Sequence, residues 1–230
     1  MKKLVIILSL TTTMVVTSLQ AQTAIAEWNF SDFGANVTNT TFGPVAATAG
    51  VNSSGAFLTG VHSNALSVWS SPVGNGNADS LSANNWIVGD FFQLQFSTLT
   101  FSNIAFSWSQ ARSSTGPTNF SLAYSVDGSS FTTYTNYTVL QSGGSGAPGT
   151  WSSTSNNPIY VLSYDMSSIT ALDNQADVYF RLVSEQTAAS SGTGRIDDIT
   201  ITGVPEPSTY AMLALAGAGF AGYVIRRRRR

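Results

Sequence analysis

From Trp86 to about Tyr137 the chain repeatedly alternates apolar and polar side chains. Trp86–Phe96 is predicted as a strand, in which Phe92, Leu94 and Phe96 alternate with Gln93 and Gln95, and Ile104, Phe106 and Trp108 alternate next with Ala105, Ser107 and Ser109. Phe120, Leu122, Tyr124 and Val126 continue the pattern up to Asp127-Gly128. A period of two puts one set of side chains on each face of a strand, and Asp-Gly is a hairpin turn signal. A return strand is therefore predicted from Phe131 to about Tyr137. Further strands are predicted at Glu27–Phe30, with Trp28 and Phe30 on one face, at Ile159–Tyr164, along Val178, Phe180 and Leu182, and at Ile196–Ile201. Ser142–Gly146 is glycine-rich and reads as a surface loop, and Ser167–Leu172 as a single helical turn. The step from Ile196 to Ile199 breaks the two-residue period, which predicts a bulge at Asp197-Asp198. No solenoid period is present. The expected fold is all-β, an antiparallel, jelly-roll-like sandwich.

Both ends depart from this pattern. Lys2 and Lys3 precede an apolar run from Leu4 to Val16, and small residues follow at Ala24-Ile25-Ala26. That is the layout of a secretory signal, expected here as a helix within residues 1–26. Cleavage is expected after Ala26, with Ala21 the nearby alternative. At the other end, Pro205-Glu206-Pro207 leads into an apolar segment through Ile225 and then Arg226, Arg227, Arg228, Arg229 and Arg230. Tyr210–Ile225, as a helix, spans about 24 Å, short of a hydrocarbon core of about 30 Å. Ser208 and Thr209 extend it, so a membrane helix is expected over 208–225, and Arg226 can snorkel. The arginines act as a cytoplasmic stop-transfer element and leave the body, 27–203, outside.

The body contains three arginines and no lysine against eleven acids, a net of −8. Such a surface repels nucleic acid, whose recognition depends on neutralising phosphates. The absence of cysteine removes disulfides, thiolate metal sites and cysteine nucleophiles. A body of this size can bury a core without staples.

Taken in order, the triplet, apolar helix and arginine cluster of residues 204–230 resemble a PEP-CTERM sorting signal. The resemblance implies an exosortase-type membrane processing enzyme as partner, with Pro205, Glu206 and Pro207 as its recognition triplet. It also implies export across the inner membrane, a transient anchor there, and an envelope, biofilm or exopolysaccharide setting. The same tail is catalogued as an ice-binding protein C-terminal domain, yet the body threonines have no regular spacing that would build an ice-matching face. Tyr124–Phe131 resembles a hairpin of galactose-binding-like sandwiches, and Arg195–Ile199 the closing strand of anchored bacterial jelly rolls.

Candidate chemistry is sparse. His62 is the single histidine, and no nucleophile motif accompanies it. It is read as a surface or loop residue. Asp197 and Asp198 suggest calcium, which favours several oxygen ligands. Adjacent strand residues face opposite ways, so both reach one ion only if the bulge redirects one; Glu27 or Asp32 could join if the terminal strands pair. The alternative is that either aspartate pairs with Arg195 or Arg181, or caps a turn. Trp69 and Trp151 border polar, loop-like sequence and are candidates for stacking on a sugar, or else lids on the core. The expected function is that of a non-enzymatic, structural or adhesive surface or matrix protein. A carbohydrate-binding module is the alternative, and a hydrolase a weaker one.

Overall fold

A computed structural model describes residues 21–31 and 33–206, with the isolated positions 217, 219, 226 and 227. The expected signal helix, most of the membrane helix, Pro207 and Arg228 to Arg230 lie outside the described residues, as does Asp32. Gly217, Gly219, Arg226 and Arg227 are helical. Among the described residues no helix is long and apolar enough to cross a membrane.

Two antiparallel sheets face each other, and the chain passes repeatedly between them. The first contains β1 (Thr23–Trp28), β2 (Asn36–Thr38), β5 (Val68–Ser70), β6 (Leu81–Ala83), β8 (Phe101–Arg112), β11 (Val161–Asp165) and β13 (Gly194–Pro205). The second contains β3 (Thr41–Ala46), β4 (Phe57–Val61), β7 (Phe91–Phe96), β9 (Asn119–Ser125), β10 (Thr132–Thr138) and β12 (Val178–Ser184). The first runs in the order β11-β8-β13-β6-β5-β2, with β1 also on β13; the second runs β10-β9-β12-β7-β4-β3.

The alternation seen in the sequence builds the core. Phe92, Leu94, Phe96, Phe120, Leu122, Val178, Phe180 and Leu182 point inward from the second sheet. They meet Ile104, Phe106, Trp108, Ile196, Ile199 and Ile201 from the first. Phe180 packs on Phe96 of its own sheet at 5.0 Å and on Phe106 of the other sheet at 5.1 Å between ring centroids, one of the contacts that join the layers. Val126 leaves the pattern as the turn begins and is exposed.

Two expected boundaries move. β1 starts at Thr23, four residues before the expected body, and ends at Trp28 because Phe30 turns to φ 53°. Ile25 and Ala26 are fully buried, and Thr23 and Ala24 pair with Gly203 and Thr202 of β13. The Thr202 hydroxyl donates to Gln22 Oε1 at 2.7 Å. A cut after Ala26 would remove most of β1 and two core side chains. β13 likewise runs past 203 to Pro205, which pairs with Phe101, while Glu206 N donates to Thr100 O at 2.8 Å. Because β1 and β13 are antiparallel neighbours, both terminal segments leave from the same end of the sandwich.

Candidate functional site

The predicted bulge is present in β13. Its pairing with β8 shifts register between Asp197 and Thr200, and Asp198 adopts φ 48°. Aspartate tolerates this left-handed conformation better than a β-branched residue would. The kink cancels the strict up-down alternation, so both carboxylates reach one partner, Asn77.

Two asparagine-containing loops cover the bulge. Asn75 N donates to Asp197 Oδ2 at 2.7 Å, and Asp198 N donates to Asp197 Oδ1 at 2.8 Å. Asn77 Nδ2 donates to Asp198 Oδ1 and lies 3.4 Å from each oxygen of Asp197. Asn156 Nδ2 donates to Asp198 Oδ2 at 3.1 Å and to Asn75 O at 3.0 Å. The buried Asn75 amide holds the two loops together by donating to Ser109 Oγ and Asn157 O and accepting from Asn157 N. A Cβ on Gly74 would fall 2.3 Å from Asp197 Oδ2, so only glycine lets the loop close over the carboxylate.

Burial and the neighbouring Asp198 push the Asp197 carboxyl up to about 7, against the pull of its hydrogen bonds. Asp198 is raised as well, mainly by burial. Neither aspartate forms a salt bridge with Arg195 or Arg181 within 4.0 Å. Arg195 instead donates to Val73 O at 3.2 Å and lies 4.9 Å from the Trp151 ring centre, and Arg181 sits in the other sheet. β1 and β13 do pair, but Glu27 lies opposite Thr200, away from Asp197 and Asp198.

All four carboxylate oxygens accept protein N–H groups, and the Asn77 amide nitrogen lies between the two acids. Calcium needs oxygen ligands. Asn77 and Asn156 would have to turn their amides to supply them, and among the described residues no group of three or more His, Cys, Asp or Glu gathers. As arranged, the cluster is a hydrogen-bonded clasp joining β13 to two loops.

His62 lies in the loop that follows β4 but is buried rather than on the surface, and it wedges between Trp69 and Trp86 at 4.6 and 4.2 Å between ring centroids. Its Nδ1 is 2.9 Å from Ser67 Oγ and 3.7 Å from Asp90 Oδ2. Serine and aspartate thus meet the same nitrogen, which is not a relay through the ring. Asp90 accepts Ser63 N and Ile87 N, both at 2.8 Å, and so ties two loops together. Burial pushes His62 down to about 4, partly offset by Asp90.

Trp69 is 0% exposed and Trp151 is 2% exposed, so neither offers a ring face to a sugar. Trp69 fills the space above Gly60, where a Cβ would come within 2.1 Å of the ring, and its Nε1 donates to Asn39 O. Trp151 packs against Tyr160 and Arg195. Both are the core lids that their sequence context also allowed. Asn75, Asn77 and Asn156 were missed in the sequence; their neighbouring glycines and asparagines signal loops, not partners.

Residues 203–230 match the PEP-CTERM protein-sorting motif. This sorting motif implies export and processing by an exosortase toward a surface or membrane-anchored destination. The motif begins within β13, so Gly203 to Pro205 belong both to the sandwich and to the signal. No curated protein matches the chain.

Solved structures similar to the chain include the CBM22-1–GH10 modules of a Clostridium thermocellum xylanase, crystallised with xylohexaose. That similarity is at 13% identity and TM-score 0.42, over 81% of this chain and 29% of the other. The K3 cleaved adhesin domain of the Porphyromonas gingivalis Lys-gingipain is similar at 16% identity and TM-score 0.40, over 77% and 98% of the two chains. A family 61 carbohydrate-binding module crystallised with β-1,4-galactotriose is similar at 8% and TM-score 0.38, over 64% and 88%.

Proposed function

We propose that the protein is a non-enzymatic surface or matrix component, a sandwich displayed outside the cell by signal removal and exosortase processing and associated with exopolysaccharide. The sorting motif continuing directly out of β13 carries this reading. The pairing of β1 with β13 supports it, because one pole of the sandwich then faces the membrane from both ends. A non-enzymatic role is supported by the state of the ionisable groups. His62 is buried, and the Asp197 and Asp198 oxygens are occupied by N–H donors.

The same pairing favours signal cleavage after Ala21, which leaves Gln22 on Thr202 and β1 whole. Mass spectrometry of the exported protein should find Gln22 at its start and a C-terminus lacking the arginine cluster. Alanine at Pro205, Glu206 and Pro207, or loss of the exosortase, should leave the arginine tail attached. An intact chain recovered from the cytosol with both ends uncut would overturn the reading.

A further inference from the structure

Three arginines serve the body, and the structure employs them differently. Arg112 donates to the carbonyls of Val139, Ser113 and Ser114 at 3.0–3.1 Å. Arg195 is half covered by Val73 O and Trp151. Arg181 projects from the outer face of β12, between the inward-facing Phe180 and Leu182. Its Cζ lies 3.6 Å from the Phe131 ring centre and 4.1 Å from that of Phe91, and its Nε donates to Gln93 Oε1 at 2.8 Å.

Two aromatic rings and one amide therefore fix the guanidinium plane. Its terminal nitrogens have no hydrogen-bond partner among the described residues and are not buried, and no carboxylate there comes within 4.0 Å. A guanidinium held in one orientation with its fork free is organised in advance for bidentate contact with a carboxylate, and little side-chain entropy is lost when the contact forms.

The surroundings suit a sugar. In the strand register Arg181 lies opposite Ala123, and Ala123 opposite Thr133. Beyond this small residue opens a cleft of about 570 Å³ that Thr133 lines together with Asn119, Asn136, Thr138 and Glu185. The size is that of small-ligand sites, and the hydroxyl and amide groups match sugar hydroxyls. Glu185, whose Oε1 accepts the Ser121 hydroxyl, is the acid at this end of the face. Asp177 on Gln95 and Asp127 near Tyr179 are further acids around the face.

We infer that this outer face binds a sparsely charged acidic glycan, with one carboxylate of a uronic-acid unit on the Arg181 fork and the adjoining neutral sugars in the cleft. A dense polyanion would be repelled by the surrounding acids and by the body's net charge of −8. The inference rests on the exopolysaccharide setting proposed above and assigns the glycan class and its contact.

The test is calorimetric titration of the full chain in detergent. One ligand is an oligosaccharide alternating uronic-acid and neutral units, and the other is the same oligosaccharide with its carboxyl groups reduced to alcohols. The acidic ligand should bind at least tenfold more tightly, and raised salt should narrow the gap. Arg181→Gln should abolish the difference, and Arg181→Lys should retain only part of it, because a point charge replaces the fork. Asn136→Ala, which leaves Arg181 and its stack in place, should weaken both ligands several-fold. Thermal melts of each variant identify any that fail to fold. Equal binding of the two ligands, an unchanged Arg181→Gln, or no binding of either would overturn the assignment. Secretion and tail removal, followed on the same variants, report on the sorting reading alone and should match the wild type.

Discussion

The sandwich buries two acidic clusters that look alike in composition and behave in opposite ways. At one, Asp90 bonds two loop amides and faces His62, a base kept neutral by burial. At the other, Asp197 bonds two amides and faces Asp198, a second acid. Both carboxylates satisfy backbone donors that would otherwise be orphaned. The neighbour decides the rest: a neutral imidazole adds no charge beside Asp90, whereas a second acid opposes the charge of Asp197.

The sharpest way to break this comparison is one substitution made twice. Asp90→Ala leaves Ser63 N and Ile87 N without their acceptor and should cost about 3 kcal/mol or more. Asp197→Ala also frees two amides, but it relieves the repulsion with Asp198, so at neutral pH it should cost less than half as much. Equal losses in urea melts would show that the neighbour does not matter.

The pH dependence is the next test. Between pH 4 and 6.5 the unfolded chain protonates His62 and the folded chain does not, so this group makes stability rise with pH. Asp197 keeps its proton in the folded chain up to about 7 and loses it at 3.8 when unfolded, so its contribution falls with pH, and Asp198 adds to that fall. Each slope is at most about 1.4 kcal/mol per pH unit, and in the wild type they oppose each other. His62→Gln should expose a stability that falls from pH 4 to 7, and Asp197→Asn one that rises over the lower part of that range. Melts at several pH values read both.

Asn77→Ala should have a smaller effect. It removes the amide between the two carboxylates and should cost about 1–2 kcal/mol above pH 7, fading toward pH 4 as the acids take up protons. Calcium should have the smallest effect. With every carboxylate oxygen already accepting an N–H, added calcium should leave the melting temperature unmoved, and a rise would show that Asn77 and Asn156 turn to offer their oxygens.

Much of this structure could be read from local pattern. The strands from Phe91 to Thr138 and from Val178 onward showed themselves because each faces core on one side and solvent on the other. The bulge was visible because Ile196 and Ile199 fall out of step. The strands from Asn36 to Ala83 were not, since all are three to six residues long and Gly43, Pro44 and Gly60 interrupt the alternation. Trp69 stayed open between lid and platform for the same reason: polar neighbours in sequence concealed a ring sealed by Gly60 and Phe92 from other strands. Ala24-Ile25-Ala26 satisfies two rules at once, as small residues for a peptidase and as buried residues for a strand, and only the pairing with β13 separates them. The Asn77–Asp198 contact joins residues 121 apart, beyond the reach of any local pattern.

The last strand of the sandwich is also a central one: β13 lies between β8 on one side and β6 and β1 on the other. Until Gly194–Pro205 has emerged, the opening strand has nothing to lie against and half the molecule has no seam. The sandwich can therefore close only once its last strand is in place, and its completion is timed by Gly194–Pro205 rather than by the strands made first.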